Sequence, residues 1–242
     1  SRARYGEAQL RRCLPDAAAR VTSLVGDIAQ LSAEPGTEPD PPAAEHLHLR
    51  FHLVCCVGVL HHIAAPQAAL LALVRGCLLP GGLLQLATYS KISVETWQPA
   101  ARLLLHRLLP DVVDFAGALL RQPSAAELRG VRAELFAMAS HAGRAADADA
   151  ASAGLLLRFE EFFCAGGCRD LLFHPHETAF TLLELRDMLA AAQLQPVGVF
   201  FSSLEKDRLA RRAYRDAGGT DAAQADLARW HQVELRERET FG

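Results

Sequence analysis

The spacing of apolar residues changes along the chain, and the changes mark its elements. Residues 51–60, FHLVCCVGVL, form a continuous apolar run, the pattern of a strand buried on both faces. Residues 66–79, PQAALLALVRGCLL, follow as a helix with Pro66 in its first turn. Pro80-Gly81-Gly82 is expected to stop that helix, and residues 82–90, GLLQLATYS, read as the next strand. Strand, helix, Gly-rich break and strand predict a βαβ unit with parallel strands and a right-handed crossover. Upstream, residues 3–13 carry an amphipathic helical pattern that ends before Pro15. Residues 20–28, RVTSLVGDI, read as a strand ending on Gly26-Asp27. Residues 32–48 are rich in proline and acids and predict a solvated loop, long enough to count as an insertion.

From 91 to about 170 the period becomes helical and the composition Ala- and Leu-rich, which predicts a helical insertion. Ser124 and Glu127 have the spacing of a capping box. Residues 142–153, AGRAADADAASA, are low in complexity and read as a loose connection. Thr181 and Glu184 form a second capping box, opening a helix with Leu182, Leu185, Met188 and Leu189 on one face. Residues 195–203, QPVGVFFSS, predict a strand with Pro196 at its start, and 221–238 a final helix capped by Asp221. This alternation predicts an α/β fold, a doubly wound and mostly parallel sheet with a helical insertion. Its parts are 1–90, the insertion 91–170, and the remainder 171–242. Ligands bind such sheets at the carboxyl ends of the strands, here Asp27, Gly58 to His62, and Thr88 to Ser90.

Composition narrows the function classes. Half of the 242 residues are hydrophobic, enough for a sizeable core. The formal net charge is −3 and no basic patch is interleaved with aromatics, so no nucleic-acid partner is indicated. The six cysteines include no CxxC pair, which points to a reducing, intracellular and cytoplasmic setting. The most apolar stretch, LLALVRGCLLPGGLLQLA, is broken by Arg75 and Pro80-Gly81-Gly82, so no membrane span is expected. No secretion signal is visible, and the start at Ser1 suggests a fragment or a processed chain.

His61 and His62 close the apolar run. An imidazole at a strand end can take a proton from a substrate hydroxyl or amine, and it can equally close a hydrogen bond to a loop. Three short histidine pairs, His46-x-His48, His61-His62 and His174-x-His176, raise the question of a metal, but no recognised zinc spacing appears and none is expected. Tyr89 and Ser90 lie just past a predicted strand, where they can face substrate or simply hold a wet strand end. Arg169, Asp170, His174 and Glu177 precede the helix at 181, as a pocket cover or as a locally ion-paired loop.

Gly26-Asp27-Ile28, VGVLHHIAAP (57–66) and LLPGGLLQLATYS (78–90) resemble the strand ends of class I S-adenosylmethionine-dependent methyltransferases. CRDLLFHPHETAFTLLEL (168–185) and the final LARWHQVELRERETFG are similar to a subgroup often fused to tetratricopeptide repeats. The resemblance implies a Rossmann-like sheet of the methyltransferase type, incomplete here. The Gly-rich turn and the ribose-binding acid of the superfamily would precede Ser1, and one strand would follow Gly242. It implies S-adenosyl-L-methionine as cofactor, with Asp27 and Ile28 at the adenine and Cys56 and Val57 along the cofactor. At their strand ends His61 and His62 are the candidate catalytic residues and Tyr89 a candidate substrate contact, and the segment of Arg169, His174 and Glu177 resembles the subgroup's cover over the substrate pocket. The methyl acceptor, protein or small molecule, and the presence of a fused repeat domain upstream are left open. The alternative is a non-catalytic, methyltransferase-like interaction module.

Overall fold

A computed structural model describes Arg12, Ile28 and residues 50–140, 148–201, 203–220 and 223–241, without the side chains of 239 and 240. The expected helix at 3–13, strand at 20–28 and loop at 32–48 lie outside the described residues, apart from Arg12 in a helix and Ile28 in a 3-10 turn. The chain divides into two compact units, one ending at Ala87 but leaving out 61–64, the other holding 61–64 and everything from Thr88. Among the described residues the fold is α/β, with eight α-helices and a short parallel sheet of two strands.

The first unit contains the predicted βαβ arrangement. Strand β1 (Phe51–Val57) leads into a 3-10 turn (Leu60–His62), helix α1 (Pro66–Cys77) and strand β2 (Leu78–Ala87). Pro66 occupies the first turn of α1, where its missing N–H has no intrahelical partner to lose. Ala69, Leu70, Ala72 and Leu73 recur at helical spacing and are buried. The two strands pair in parallel from Leu53↔Leu83 to Val57↔Ala87.

Pro80-Gly81-Gly82 does not end the helix before the strand begins. α1 already stops at Cys77, and the three residues lie inside β2 as a bulge, β1 advancing from Phe51 to Leu53 while β2 advances from Leu78 to Leu83. Gly81 has φ +75°, and a Cβ on Gly82 would stand 3.1 Å from the His52 carbonyl oxygen, so glycine permits the close approach. The expectation that 51–60 is buried on both faces is also corrected. Phe51, Leu53 and Val57 are about half exposed, and Cys56 is the buried residue of β1.

The second unit is helical. Its helices are α2 (Lys91–Leu108), α3 (Ala125–Ser140), α4 (Ala148–Leu156), α5 (Ala165–Phe173), α6 (Leu182–Ala191), α7 (Leu204–Asp216) and α8 (Leu227–Arg236). Trp97, Leu104 and Leu105 of α2, Leu128, Val131 and Leu135 of α3, Leu156 of α4 and Phe173 of α5 form one core. Ala210 and Tyr214 of α7 with Trp230 and Val233 of α8 form another. The expected loose connection at 142–153 is instead helical from Ala148, because Ala150, Ala153 and Leu156 recur on one face and are buried; 141–147 are outside the described residues.

Residues 195–201 form no strand. Val199 and Phe201 pack on the second core with Phe200 exposed between them, but Val197, on the same side of a strand as Val199, is exposed as well, so the alternation covers only 199–201. No described segment offers this stretch a ladder, and without paired N–H and C=O groups an extended segment is not a strand. The last helix begins six residues later than expected. Asp226, not Asp221, caps it, accepting from the Arg229 N–H at 3.1 Å, and Asp221 lies outside the described residues.

Both capping boxes form. Thr181 Oγ1 accepts from the Glu184 N–H (3.2 Å) and Glu184 Oε2 accepts from the Thr181 N–H (2.8 Å). At α3, Glu127 Oε2 accepts from the Ser124 N–H (2.7 Å), Ser124 Oγ accepts from the Glu127 N–H (3.2 Å), and Arg121 donates to Oε1 at 2.6 Å. The Arg121 guanidinium, reinforced by both Ser124 bonds, holds the Glu127 carboxyl down at about 2. A carboxyl depressed in the folded state adds stability above its unfolded pKa of about 4.3, and that stability is lost as pH falls through the folded value. The cap of α3 is therefore expected to be intact at pH 5 and lost between about pH 4 and 2. The Glu127 side-chain carbon shift, followed by NMR, should titrate near 2. A midpoint near 4.3, as for a free glutamate, contradicts the account.

No helix among the described residues is long and apolar enough to cross a membrane.

Candidate functional site

The histidines expected to be functional stand against a loop that links α5 to α6. Residues 178–180 of that loop are stitched to two other segments of the second unit. The Thr178 N–H donates to the His61 carbonyl (2.8 Å), the Phe180 N–H to the Tyr89 carbonyl (3.0 Å), and the Lys91 N–H to the Phe180 carbonyl (3.0 Å). Ser90 and Phe180 form an isolated parallel bridge. These main-chain bonds bring together side chains more than 80 positions apart in sequence.

The rings then make a continuous aromatic contact. His61 and Tyr89 have centroids 4.4 Å apart, His61 and His62 4.1 Å, and His62 stacks on His174 at 3.6 Å with planes 28° apart. His61 is 2 % exposed, and neither of its ring nitrogens has a hydrogen-bond partner. Burial, aided by the neighbouring His62, drives its pKa down to about 4, so the ring is neutral at physiological pH. Burial, then the charges of Glu177 and Asp170, pushes the Tyr89 phenol up to about 12.

Glu177 closes the other side. Burial raises its pKa, opposed by His174 and Arg102, and its Oε1 accepts from Gln98 Nε2 at 3.3 Å. A cavity of about 370 Å³ opens here, lined among others by Trp97, Arg102, Leu172, His174 and Glu177. A volume of that size suits a small ligand or a single side chain. His174 is shared by the cavity and the ring cluster.

The backbone carbonyl of His176 organises two of the rings. It lies 3.2 Å from His62 Nδ1 and 2.5 Å from His174 Nδ1. The His176 N–H donates to His174 Nδ1 at 3.2 Å, a bond that needs the lone pair on Nδ1, whereas the carbonyl contact needs a proton there. His62 can donate to the carbonyl through Nδ1, which leaves its Nε2 as the free lone pair. Asp170 stands one helical turn before His174, and ligand atoms of His62, Asp170 and His174 all lie within 4.8 Å of one another. The spacing Asp170-x-x-x-His174 was in the sequence; that His62 joins it depends on the tertiary fold.

Other expected site residues are placed elsewhere. Arg169 donates to the Pro123 carbonyl (2.9 Å) and to Gln122 Oε1 (3.4 Å), so its guanidinium fastens the segment before α3. Ser90 is buried as the N-cap of α2, accepting from the Ser93 N–H and donating to Glu234 Oε1 at 2.7 Å. Cys56 and Val57 belong to the first unit. Cys56 is buried and its thiol pKa is raised by burial, which makes it packing rather than a nucleophile. Val57 ends β1 half exposed, and Gly58 beyond it has φ +70° with open space where a Cβ would point. Asp27 lies outside the described residues, and Ile28 is half-buried in its 3-10 turn. Trp97, Gln98 and Arg102 line the cavity without having been singled out; they are ordinary α2 positions whose role only the folded chain reveals.

No protein-family model matches this chain, and no curated protein matches it at a significant level.

Proposed function

We propose that the chain carries an S-adenosylmethionine-dependent methyltransferase domain, with the cavity beside His174 and Glu177 receiving the methyl acceptor. The observation that carries the reading is the parallel pairing of β1 with β2 through α1. The segments whose sequence resembles methyltransferase strand ends, VGVLHH following β1 and LLPGGLLQLATYS along β2, come one after the other through α1. The two strands are read as part of a doubly wound sheet.

S-adenosylmethionine supplies an electrophilic methyl group on sulfonium when bound. On the cofactor side the reading relies on Asp27 and Ile28 for the adenine and on the backbone at Cys56 and Val57. The open end of β1 at Val57 and Gly58 fits that role within its own unit. On the acceptor side, methyl transfer is an in-line displacement in which positioning does most of the work. Trp97 offers an apolar wall, and Glu177 and Arg102 offer polar groups that can orient a small oxygen or nitrogen nucleophile. Of the two adjacent histidines, His61 is buried with both nitrogens uncommitted and its ring against Tyr89, and it is not among the residues that line the cavity. His62 is engaged by His174 and the His176 carbonyl.

The test is transfer of an isotopically labelled methyl group from S-adenosylmethionine, by the whole chain, to a panel of phenols, imidazoles, amines and carboxylates. Label is expected in one acceptor class, and Glu177→Gln is expected to lower its incorporation about tenfold or more, as for loss of one positioning contact. Absence of label in every class, from a chain that binds S-adenosylhomocysteine, would leave a cofactor-binding module and overturn the catalytic reading.

A further inference from the structure

We propose that His62, Asp170 and His174 form a binding site for one first-row divalent metal ion, of the zinc type. The ligand set is two imidazoles and one carboxylate, the donors that borderline divalent ions favour. The three ligand atoms already converge to within 4.8 Å of one another, and an ion at their centre needs only side-chain adjustment to reach bonds of about 2 Å. Asp170 lies in the last turn of α5, and His174 is the extended C-cap residue that follows the helix. His62 arrives from a separate segment, held by the Thr178 N–H to His61 carbonyl bond next to it.

The supporting groups argue for a built site rather than a chance gathering. Metal-bound histidines donate their second ring N–H to a carbonyl or carboxylate, which fixes tautomer and orientation. Here the one His176 carbonyl lies within hydrogen-bond distance of Nδ1 of both rings. With three protein ligands, the ion keeps at least one position for water or another ligand, the arrangement of reactive rather than purely structural zinc sites. His62 then serves as a ligand, and the inference does not depend on methyl transfer.

Titration of the full chain with zinc chloride in a calorimeter tests it, with cobalt chloride as a spectroscopic probe of the same site. One equivalent is expected to bind, and cobalt is expected to give ligand-field bands of a four- or five-coordinate site. His62→Ala, His174→Ala and Asp170→Asn each remove a ligand and are expected to weaken binding by at least the roughly tenfold to hundredfold seen for loss of a ligand's supporting partner. Asp170 is exposed on α5, so Asp170→Asn should keep the circular dichroism of the parent and isolates the ligand effect. His176→Ala, which retains the orienting carbonyl, and the double change His46→Ala with His48→Ala are expected to leave binding intact. Absence of binding to the folded parent chain overturns the proposal. So does binding that Asp170→Asn and His62→Ala leave unchanged, or that is lost with His46 and His48.

Discussion

Replacing Trp230 by alanine is expected to destabilise the second unit by about 3–5 kcal/mol, the range for deleting a fully buried large aromatic side chain. Trp230 is fully buried between α7 and α8. Its ring stacks on Tyr214 at 4.2 Å with planes 22° apart, and Phe201 and Phe241 meet it at 5.8 and 6.5 Å. Its Nε1–H donates to the Gln224 carbonyl at 2.9 Å, so the polar end of the ring is satisfied as well. Trp230→Phe keeps most of the packing and loses that bond, and should cost about 1–2 kcal/mol. Urea unfolding followed by far-UV circular dichroism separates the two. If Trp230→Ala moved the midpoint no further than Trp230→Phe, this cluster would not be the core it is taken to be.

The second large effect concerns a buried carboxylate. Glu234 is 1 % exposed on α8. Its Oε1 accepts from Ser90 Oγ at 2.7 Å, and its Oε2 from the Leu182 N–H at 3.2 Å and from His231 Nδ1 at 2.8 Å. Ser90 caps α2 and Leu182 opens α6, so the N-termini of two helices meet at this one carboxylate. Glu234→Leu removes the shared acceptor and leaves buried donors unpaired, which should cost about 3–5 kcal/mol. Glu234→Gln retains an amide oxygen but cannot accept from all three donors, and about 1–2 kcal/mol is expected. Hydrogen exchange at the Leu182 amide provides the local readout. It should accelerate strongly in Glu234→Leu and modestly in Glu234→Gln, and equal protection in both would contradict the shared-acceptor role.

Much of the local structure was legible in the sequence because local signals decide it. The Ser124–Glu127 and Thr181–Glu184 boxes need only the backbone within one turn, and both form. The helix opened by Pro66 was readable for the same reason. The errors arose where a neighbour decides. Residues 195–201 read as part of a strand, yet a strand exists only with a partner, and none among the described residues pairs with them. Pro80-Gly81-Gly82 reads as a helix stop, but the glycines serve a bulge that approaches the His52 carbonyl. Asp226 and Asp221 are equally good caps in isolation, and the burial of Leu227, Trp230 and Val233 selects the later start.

The candidate site divides in the same way. His61, His62, Tyr89, His174 and Glu177 were nameable as residue types near predicted strand ends and loops, and the fold gathers all five. Arg169 was equally nameable, yet it bonds the Pro123 carbonyl, because its place on α5 turns it towards the segment before α3. The two-ring clasp of the His176 carbonyl left no trace in the sequence. It depends on a backbone oxygen and on a fold that brings residue 62 to residue 174.

The central claim is that this chain carries a methyltransferase cofactor site, and the most direct measurement is calorimetric titration of the whole chain with S-adenosylhomocysteine. The account predicts a saturable heat with micromolar affinity and a stoichiometry of one, lost in Asp27→Ala. A chain that melts cooperatively and retains its helical dichroism, yet gives no heat with S-adenosylhomocysteine, would contradict it.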